Sequence, residues 1–281
     1  MSVTTQQRPR DERDVLRNQL TKMSGEFKMA LPSHITPERF QRVVMTAAQQ
    51  NPDIILADRR TFLMAATKCA QDGLLPDGRE AAFVIFNTKV KIDGKDQWIK
   101  AAQYMPMIAG IQKRALNTGL ITSLQGHVIY ENDTFLWQQG TDEKLEHRPL
   151  FPGDRGEPIG AYAVARIKGE DKPLFRVMDK DRIEKARQVS RNKDGAVWKS
   201  WWDEMAIKTV VRNLAKSLPS DAEMSMLRVV SRDDEPVDAD ESTTTIDAVL
   251  TDDQRAMPPS RLDVIEGGLV EGPGDEAPGP S

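Results

Sequence analysis

The sequence predicts an α+β fold, in which a small set of antiparallel strands lies between helical segments at both ends. Two observations predict it. Apolar residues recur at helical steps of three and four as far as Cys69, and strand-like alternation replaces this pattern from Ala81 onward. The segment 198–219, which has neither glycine nor internal proline, then returns to the helical period.

Three helices are predicted before the strands, at 11–31, 36–50 and 58–72. The first is amphipathic. The other two begin at Thr36 and Asp58, whose side chains can accept a hydrogen bond from the first turn of a helix. Gly73 follows the third helix and suits its left-handed terminus. Cys69 lies in the apolar run of this helix and is predicted to be a core residue.

The strand region begins with a predicted hairpin. The segment 81–87 alternates as a strand, and 90–92 and 97–103 then flank Asp93-Gly94, which is a signal for a hairpin turn. Four lysines crowd this hairpin: Lys89, Lys91, Lys95 and Lys100.

A further helix is predicted over Met105–Asn117, with Pro106 in its first turn. Four more strands are then predicted, two around a turn at 131–133 and two around Gly169. The polar loop 141–156 between these pairs is punctuated by proline and glycine, and we expect it to be mobile.

The charge is unevenly distributed along the chain. The net charge is −4, but residues 233–281 alone carry −12, which leaves +8 on the remainder. A basic body with an acidic tail is typical of many nucleic-acid binders, although it also occurs in proteins that touch no nucleic acid. We expect disorder at 1–10, a folded body at 11–230 and a disordered acidic tail at 231–281. Within the tail, 261–270 is a candidate partner-binding element.

The cysteine content and the N-terminus indicate a cytoplasmic protein. Cys69 is the single cysteine, which excludes an internal disulfide and a cysteine-rich zinc site. The polar N-terminus has no apolar signal core, and the chain has no apolar run long enough to span a membrane.

The helix predicted at 198–219 combines cations and aromatic rings. Lys208, Arg212 and Lys216 recur every four positions, so they form a row along one side, which we call the cation row. Three tryptophans stand at its start: Trp198, Trp201 and Trp202. Cations beside aromatic rings suit a polyanion that carries flat bases. The alternative is a core helix with a solvated basic face and tryptophans packed inside.

The sequence has no pattern for a familiar catalytic centre. It contains no Walker-type phosphate loop, no H-E-x-x-H pair and no G-x-S-x-G elbow. The carboxylates Asp77 with Glu80, or Glu131 with Asp133, could in principle hold Mg²⁺, but both pairs lie in turns, where acidic residues are common for structural reasons. We therefore predict a binding protein with no catalytic or metal-ligating residue and no cofactor, with Mg²⁺ at most a counter-ion.

Three stretches resemble the RecT family of phage single-strand annealing proteins. They are LPSHITPERFQRVVMTAAQQNPDI running into GLLPDGREAAFVIF, then QYMPMIAGIQKRALNTGLITSLQGHVIYENDTF, then GEPIGAYAVARI followed by WWDEMAIKTVVRNLAKSLP. They keep the family's order and spacing over roughly residues 30–220. Gln103-Tyr104-Met105-Pro106 departs from the Gly-Tyr-Lys-Gly that the family more often has, so no role is carried to Met105.

The resemblance implies an ATP-independent protein that binds and anneals single-stranded DNA in phage-type homologous recombination. Its implied fold is a small antiparallel sheet with flanking helices, distantly like eukaryotic annealing proteins. It implies a homo-oligomer, as a ring or helical filament, that coats single strands and holds the annealed duplex. The implied partners are a phage 5′→3′ exonuclease and the single-strand-binding protein of the bacterial host, in whose cytoplasm the protein would act.

Annealing requires cations that neutralise phosphates and aromatic rings that hold bases without reading their sequence. We therefore predict a DNA-binding groove. Its cationic lining is predicted to be Lys100, Lys113, Arg114, Lys208, Arg212 and Lys216, with Lys91 and either Arg191 or Lys199 at the rim. Its aromatic candidates are Tyr104, Trp198 and Trp201.

Two other functions fit the same composition. A metal-dependent phage nuclease would shorten labelled DNA in the presence of Mg²⁺. A phage structural or scaffolding protein would use its basic residues for subunit contacts and would not shift a single-stranded oligonucleotide in a gel.

Overall fold

The computed structural model describes residues 12–92, 95–190, 193–194, 196–219, 226–232 and 244–256. This part of the chain consists of helices and small antiparallel sheets, so the predicted α+β class is confirmed. None of its helices combines the length and the apolar character that crossing a membrane requires. The predictions for 1–10 and for 261–270 lie outside the described residues.

The first four helices are α1 (Glu12–Lys22), α2 (Ser24–Ala30), α3 (Pro37–Gln50) and α4 (Arg59–Gln71), with a 3₁₀ turn at Pro52–Ile54. Both predicted caps are confirmed. The Thr36 side chain accepts a hydrogen bond from the Arg39 N–H at 3.3 Å, and the Asp58 side chain accepts one from the Thr61 N–H at 2.9 Å. Gly73 has the left-handed φ of 63° predicted for the end of α4.

The helix predicted over 11–31 is in fact divided at Met23, between α1 and α2. Ser24 and Gly25 follow the break, and both are weak helix formers, so continuation of α1 has little local support. The apolar face nevertheless continues across the break, because Leu20, Met23 and Phe27 are all buried.

A long hairpin packs against α4. Strands β1 (Ala81–Ile92) and β2 (Lys95–Pro106) pair antiparallel, and Ile92 lies opposite Lys95, as the predicted two-residue turn requires. The Phe62 ring of α4 meets the Phe83 ring of β1 edge-on at 5.2 Å between centroids. These rings, with Phe27 and Phe40, lie in what we call the first core. Cys69 is buried there as predicted, and burial raises the pKa of its thiol.

The helix predicted from Met105 begins later than expected. Pro106 is the last residue of β2, opposite Ala81, and helix α5 spans Ile108–Asn117. The Met107 N–H donates to the Glu80 carbonyl at 2.9 Å, which ends the strand pairing and holds the start of the helix. At Gly110 an added Cβ would lie 2.1 Å from the Glu80 carbonyl oxygen, so only glycine permits this close approach.

The second sheet has three strands in the order β3–β6–β7, where β3 is Ile121–Tyr130, β6 is Pro158–Ile167 and β7 is Leu174–Asp179. The predicted turn at Gly169 joins β6 to β7, and helix α6 (Lys180–Gln188) follows. The loop expected to be mobile instead contains a strand, β5 (Lys144–Arg148), which pairs with β4 (Thr134–Gln138) as a two-stranded ribbon.

The helix predicted as continuous over 198–219 is two helices. These are α7 (Ala196–Ser200) and α8 (Trp202–Ala215), separated by Trp201, whose backbone angles of −133° and 46° are not helical. Asp203 and Glu204 in the first turn of α8 favour a helix N-terminus at this position. Helix α8 packs on the second sheet and, with Trp198 and Ile111, forms the second core.

Two helices follow α8 in the described part of the chain. Helix α9 (Met226–Ser231) places Val229 in the first core and Val230 in the second. Helix α10 (Thr244–Ala256) lies within the segment expected to be disordered, and Ile246 and Val249 are buried in the first core. The structure thus has a helix within this acidic segment, because apolar side chains three residues apart give it a face that can pack on a core.

Candidate nucleic-acid interface

The cation row is only partly a surface feature. Helix α8 buries Val210, Val211 and Leu214 against the second sheet, which turns Lys208 and Arg212 toward its half-buried flanks. The Arg212 guanidinium donates to the Val230 carbonyl at 2.6 Å and so joins α8 to α9. Lys216 is exposed and lies one residue past the helix, as its C-cap. In the cation row, Arg212 therefore joins two helices, Lys208 is half-buried and Lys216 is exposed.

The cations predicted on α5 take part in packing. The Lys113 ammonium lies 2.7 Å from both carboxylate oxygens of Glu80, and Glu80 also accepts the Leu75 N–H at 3.1 Å. This pair holds the turn before β1 against α5. Arg114 is only 5% exposed and packs behind Gly73, which argues against a phosphate contact by its guanidinium in this conformation.

The predicted aromatic residues are divided between the interior and the surface. Tyr104 is 2% exposed in the first core, where burial raises the pKa of its hydroxyl. Trp198 is 4% exposed in the second core, with the Arg187 guanidinium 5.6 Å from its ring centroid. Both rings are enclosed, which argues against base stacking by either. Trp201, in contrast, is 64% exposed at the junction of α7 and α8.

The remaining predicted cations lie at two places. Lys199 is exposed on α7, two residues before Trp201. Lys100 is exposed on β2, and its ammonium lies 3.2 Å from the Asp53 carboxylate. The side chain of Lys91 and the whole of Arg191 lie outside the described residues.

The segment that leads into α7 is held against α6. The Arg187 guanidinium donates to the Lys193 carbonyl at 2.7 Å, and the Lys193 ammonium donates to Gln188 at 3.3 Å. At the start of α8, the Trp202 indole N–H donates to the Glu184 carboxylate of α6 at 2.7 Å. These bonds fix the surface on which Lys199 and Trp201 stand.

Sequence reasoning missed two features. One is Trp98, which is 72% exposed on the hairpin. The other is a buried polar cluster centred on Asp133, whose side chain is fully buried. The signal for Trp98 was present in the lysine-rich hairpin that surrounds it. Only tertiary structure could reveal the second, because its partners are distant in sequence.

Asp133 anchors the ribbon and the loop after it. One carboxylate oxygen accepts the Leu150 N–H at 2.9 Å and the Arg155 Nε–H at 3.0 Å. The other accepts Arg155 Nη2 at 2.6 Å and lies 3.0 Å from His147 Nε2. The hydrogen bonds from Arg155 and then from the Leu150 N–H and His147 hold the pKa of Asp133 well below its usual range, although burial opposes them. The loop 141–156 is thus tied at several points.

Two tyrosines complete this cluster. The Arg155 guanidinium lies 4.0 Å from the Tyr130 ring centroid, and the Tyr130 hydroxyl donates to Asp203 at the start of α8. Burial, and then this hydrogen bond, raises the pKa of Tyr130 to about 12. The Tyr162 hydroxyl lies 3.3 Å from His147 Nδ1. The cluster therefore links the ribbon, the second sheet and α8.

The acidic pairs considered for Mg²⁺ have structural partners. The Asp77 carboxylate accepts the N–H groups of Arg79 and Glu80 at 2.9 and 2.8 Å, as an acidic turn residue does. Glu80 is paired with Lys113, and Asp133 with Arg155. Across the residues that the structure describes, no three His, Cys, Asp or Glu side chains are grouped so as to hold a metal ion.

Comparisons with known proteins find one family and one relative that are similar to this chain. The model of the RecT family matches residues 38–247. The chain is also 35% identical, over 228 residues, to Protein RecT of Escherichia coli strain K12, and the aligned region covers 80% of this chain and 81% of that protein. The family match includes α9 and enters α10, so it extends beyond the resemblance at roughly 30–220 that the motifs carry.

Proposed function

The chain belongs to the RecT family, and from this membership we propose how it holds single-stranded DNA. As a family member it is a single-strand annealing protein of homologous recombination, and it is not an enzyme. This membership opposes the nuclease and scaffolding alternatives. Annealing needs a grip that neutralises phosphates and leaves base edges exposed for pairing.

The proposed grip is centred on the junction of α7 and α8. The observation that supports it most is the exposure of Trp201 beside the exposed cation Lys199. An exposed ring can stack on a base at about 1–3 kcal/mol without reading sequence, and a neighbouring ammonium can contact the phosphate of the same strand. Lys208 and Lys216 on the same helical segment extend this basic surface in the proposal.

The other predicted contacts divide into further phosphate contacts and residues of the framework. Lys100, Lys91, Lys113 and Arg191 stay in the proposal as additional phosphate contacts. Arg114, Tyr104 and Trp198 are interior in this structure, and Arg212 ties α8 to α9, so we assign these four to the framework that positions the surface.

A matched pair of double variants tests the proposal. Lys199→Ala with Trp201→Ala should weaken binding of a fluorescent single-stranded oligonucleotide about tenfold or more, because one stacked ring and one phosphate contact are removed. Lys144→Ala with Trp137→Ala is the control, because it also removes one exposed lysine and one exposed tryptophan, but from the ribbon. Annealing of complementary oligonucleotides should be measured with EDTA and without nucleotide.

Equal affinity of the two double variants would remove the junction from the interface. A strict requirement for ATP in the annealing reaction would contradict the proposed mechanism, in which pairing itself supplies the driving force.

We also propose the assembly and partners that the family implies. The annealing body would be 11–230, working as a homo-oligomer that forms a ring or a helical filament on DNA. A 5′→3′ exonuclease would supply the single strand, the host single-strand-binding protein would hold it, and the site of action would be the bacterial cytoplasm. Electron microscopy after adding complementary strands one at a time would distinguish ring from filament.

A further inference from the structure

The far end of the β1–β2 hairpin carries an exposed ring between cations. Trp98 is 72% exposed and lies directly opposite Lys89, and Lys100 lies opposite Asn87. Directly opposed residues of an antiparallel pair share one face, and so do residues two apart on one strand. Trp98, Lys89 and Lys100 therefore share a face of the hairpin, and all three are exposed.

This face changes character along its length. Near α4 it consists of buried side chains of the first core, among them Phe83, Ala102 and Tyr104. Beyond Ile85 the same face bears Asn87, Lys89, Trp98 and Lys100, all exposed. Beyond the first core, the described part of this face is therefore polar and cationic, and it holds one large ring.

We propose that Trp98 stacks on a base of single-stranded nucleic acid while Lys89 and Lys100 contact the flanking phosphates. This inference rests on the proposed function, and it adds a second contact point, separate from Trp201. Trp98 and Lys100 are about 7 Å apart along β2, since a strand advances roughly 3.3 Å per residue. A ring and an ammonium at this separation can engage a base and a phosphate of one extended strand.

The ion pair of Lys100 does not prevent this contact. Its ammonium lies 3.2 Å from the Asp53 carboxylate, and the two side chains are 46% and 59% exposed. Solvent screens a pair of this exposure, so a phosphate can replace Asp53 as its partner. A sequence-independent grip is also retained, because a stacked ring accepts every base and an ammonium reads none.

The test compares two exposed tryptophans. Trp98→Ala should weaken binding of an oligothymidylate about tenfold at moderate salt, whereas Trp98→Phe should retain most of the affinity, because a phenyl ring still stacks. Trp137→Ala is the control, because Trp137 is 46% exposed on the ribbon β4–β5, which is a separate sheet from the hairpin. Binding should be followed by fluorescence anisotropy, and folding by circular dichroism.

A second variant keeps the inference testable if Trp98→Ala does not fold. Lys89→Gln should lower the dependence of log affinity on log salt by about 0.7, the contribution of one phosphate contact on a single strand. An unchanged slope, or equal losses in Trp98→Ala and Trp137→Ala, would overturn the inference. So would a change of oligomeric state in Trp98→Ala at unchanged affinity, because Trp98 would then contact a second copy.

The Trp201 double variant separates this failure from that of the proposed function. If the Lys199 and Trp201 substitutions weaken binding and the Trp98 substitutions do not, the hairpin contact is wrong and the junction contact stands. If the unaltered protein does not bind the oligothymidylate, the proposed function itself fails.

Discussion

The docking of α10 can be tested by removing one buried side chain. Ile246 is fully buried in the first core, in a segment rich in acidic residues. Replacing a buried isoleucine by alanine typically lowers the free energy of unfolding by about 2–5 kcal/mol, since apolar contacts are lost and a cavity is left. For a domain of this size, each 1 kcal/mol lowers the melting temperature by about 2–4 °C. Ile246→Ala should therefore melt roughly 5–15 °C lower.

The control for this variant is Asp247→Asn on the same helix. Asp247 lies 3.2 Å from the Arg60 guanidinium, with side chains 50% and 38% exposed, so the loss should be within about 1 kcal/mol. Thermal and urea unfolding followed by circular dichroism would measure both. Identical unfolding of Ile246→Ala and the unaltered protein would refute the docking of α10.

Truncation separates α10 from the acidic residues after it. Removing 257–281 should leave stability unchanged and annealing as fast or faster, because acidic residues that compete with DNA for the basic surface are lost. Removing 233–281 also removes α10, so this protein should be less stable in the same unfolding assays. Equal stability of the two truncated proteins would contradict the packing.

Two further predictions concern single side chains. Asp133→Asn should destabilise the protein by about 1–3 kcal/mol at neutral pH, because a buried carboxylate that accepts several hydrogen bonds is lost, while solvent reaches the 34% exposed side chain of Arg155. Because the pKa of Asp133 is depressed in the folded protein, its carboxylate contributes fully to the free energy of unfolding above the unfolded pKa of about 4, and this contribution is lost as pH falls below that value. In unfolding measurements the stability difference between Asp133→Asn and the unaltered protein should therefore shrink from pH 5 to pH 2. A constant difference would contradict this prediction. Lys216→Ala should lower the salt slope of single-strand binding by about 0.7 at unchanged melting temperature. Arg212→Ala should instead melt lower, because it loses its hydrogen bond to the Val230 carbonyl. An unchanged slope in Lys216→Ala would exclude Lys216 from the interface.

Sequence reasoning succeeded where the physical cause is local. The caps at Thr36 and Asp58 were predictable because each side chain bonds to an N–H three residues away. The pairing of Ile92 with Lys95 was predictable for the same reason, since the Asp93-Gly94 signal specifies the register of both strands.

The structure differs from the expectations where contacts between distant residues decide. Tyr104 and Trp198 are residue types that can stack on bases, but they lie buried in the first and second cores. Pro106 suits a first helical turn, yet the Glu80 carbonyl draws the helix start one turn later. Acidic composition concealed α10, whose buried side chains Ile246 and Val249 pack on a core that other helices build.

Helix α9 makes the two cores interdependent. Val229 and Val230 are adjacent in sequence but are buried in different cores, because successive residues on a helix point about 100° apart. Just beyond it, Arg232 is 7% exposed and donates to the buried Asp72 at 3.2 Å. Inserting a single residue before Val229 would rotate both valines out of their sockets and displace Arg232 from Asp72. Local unfolding of α9 would therefore remove a buried side chain from each core at once, so the stabilities of the two cores are coupled.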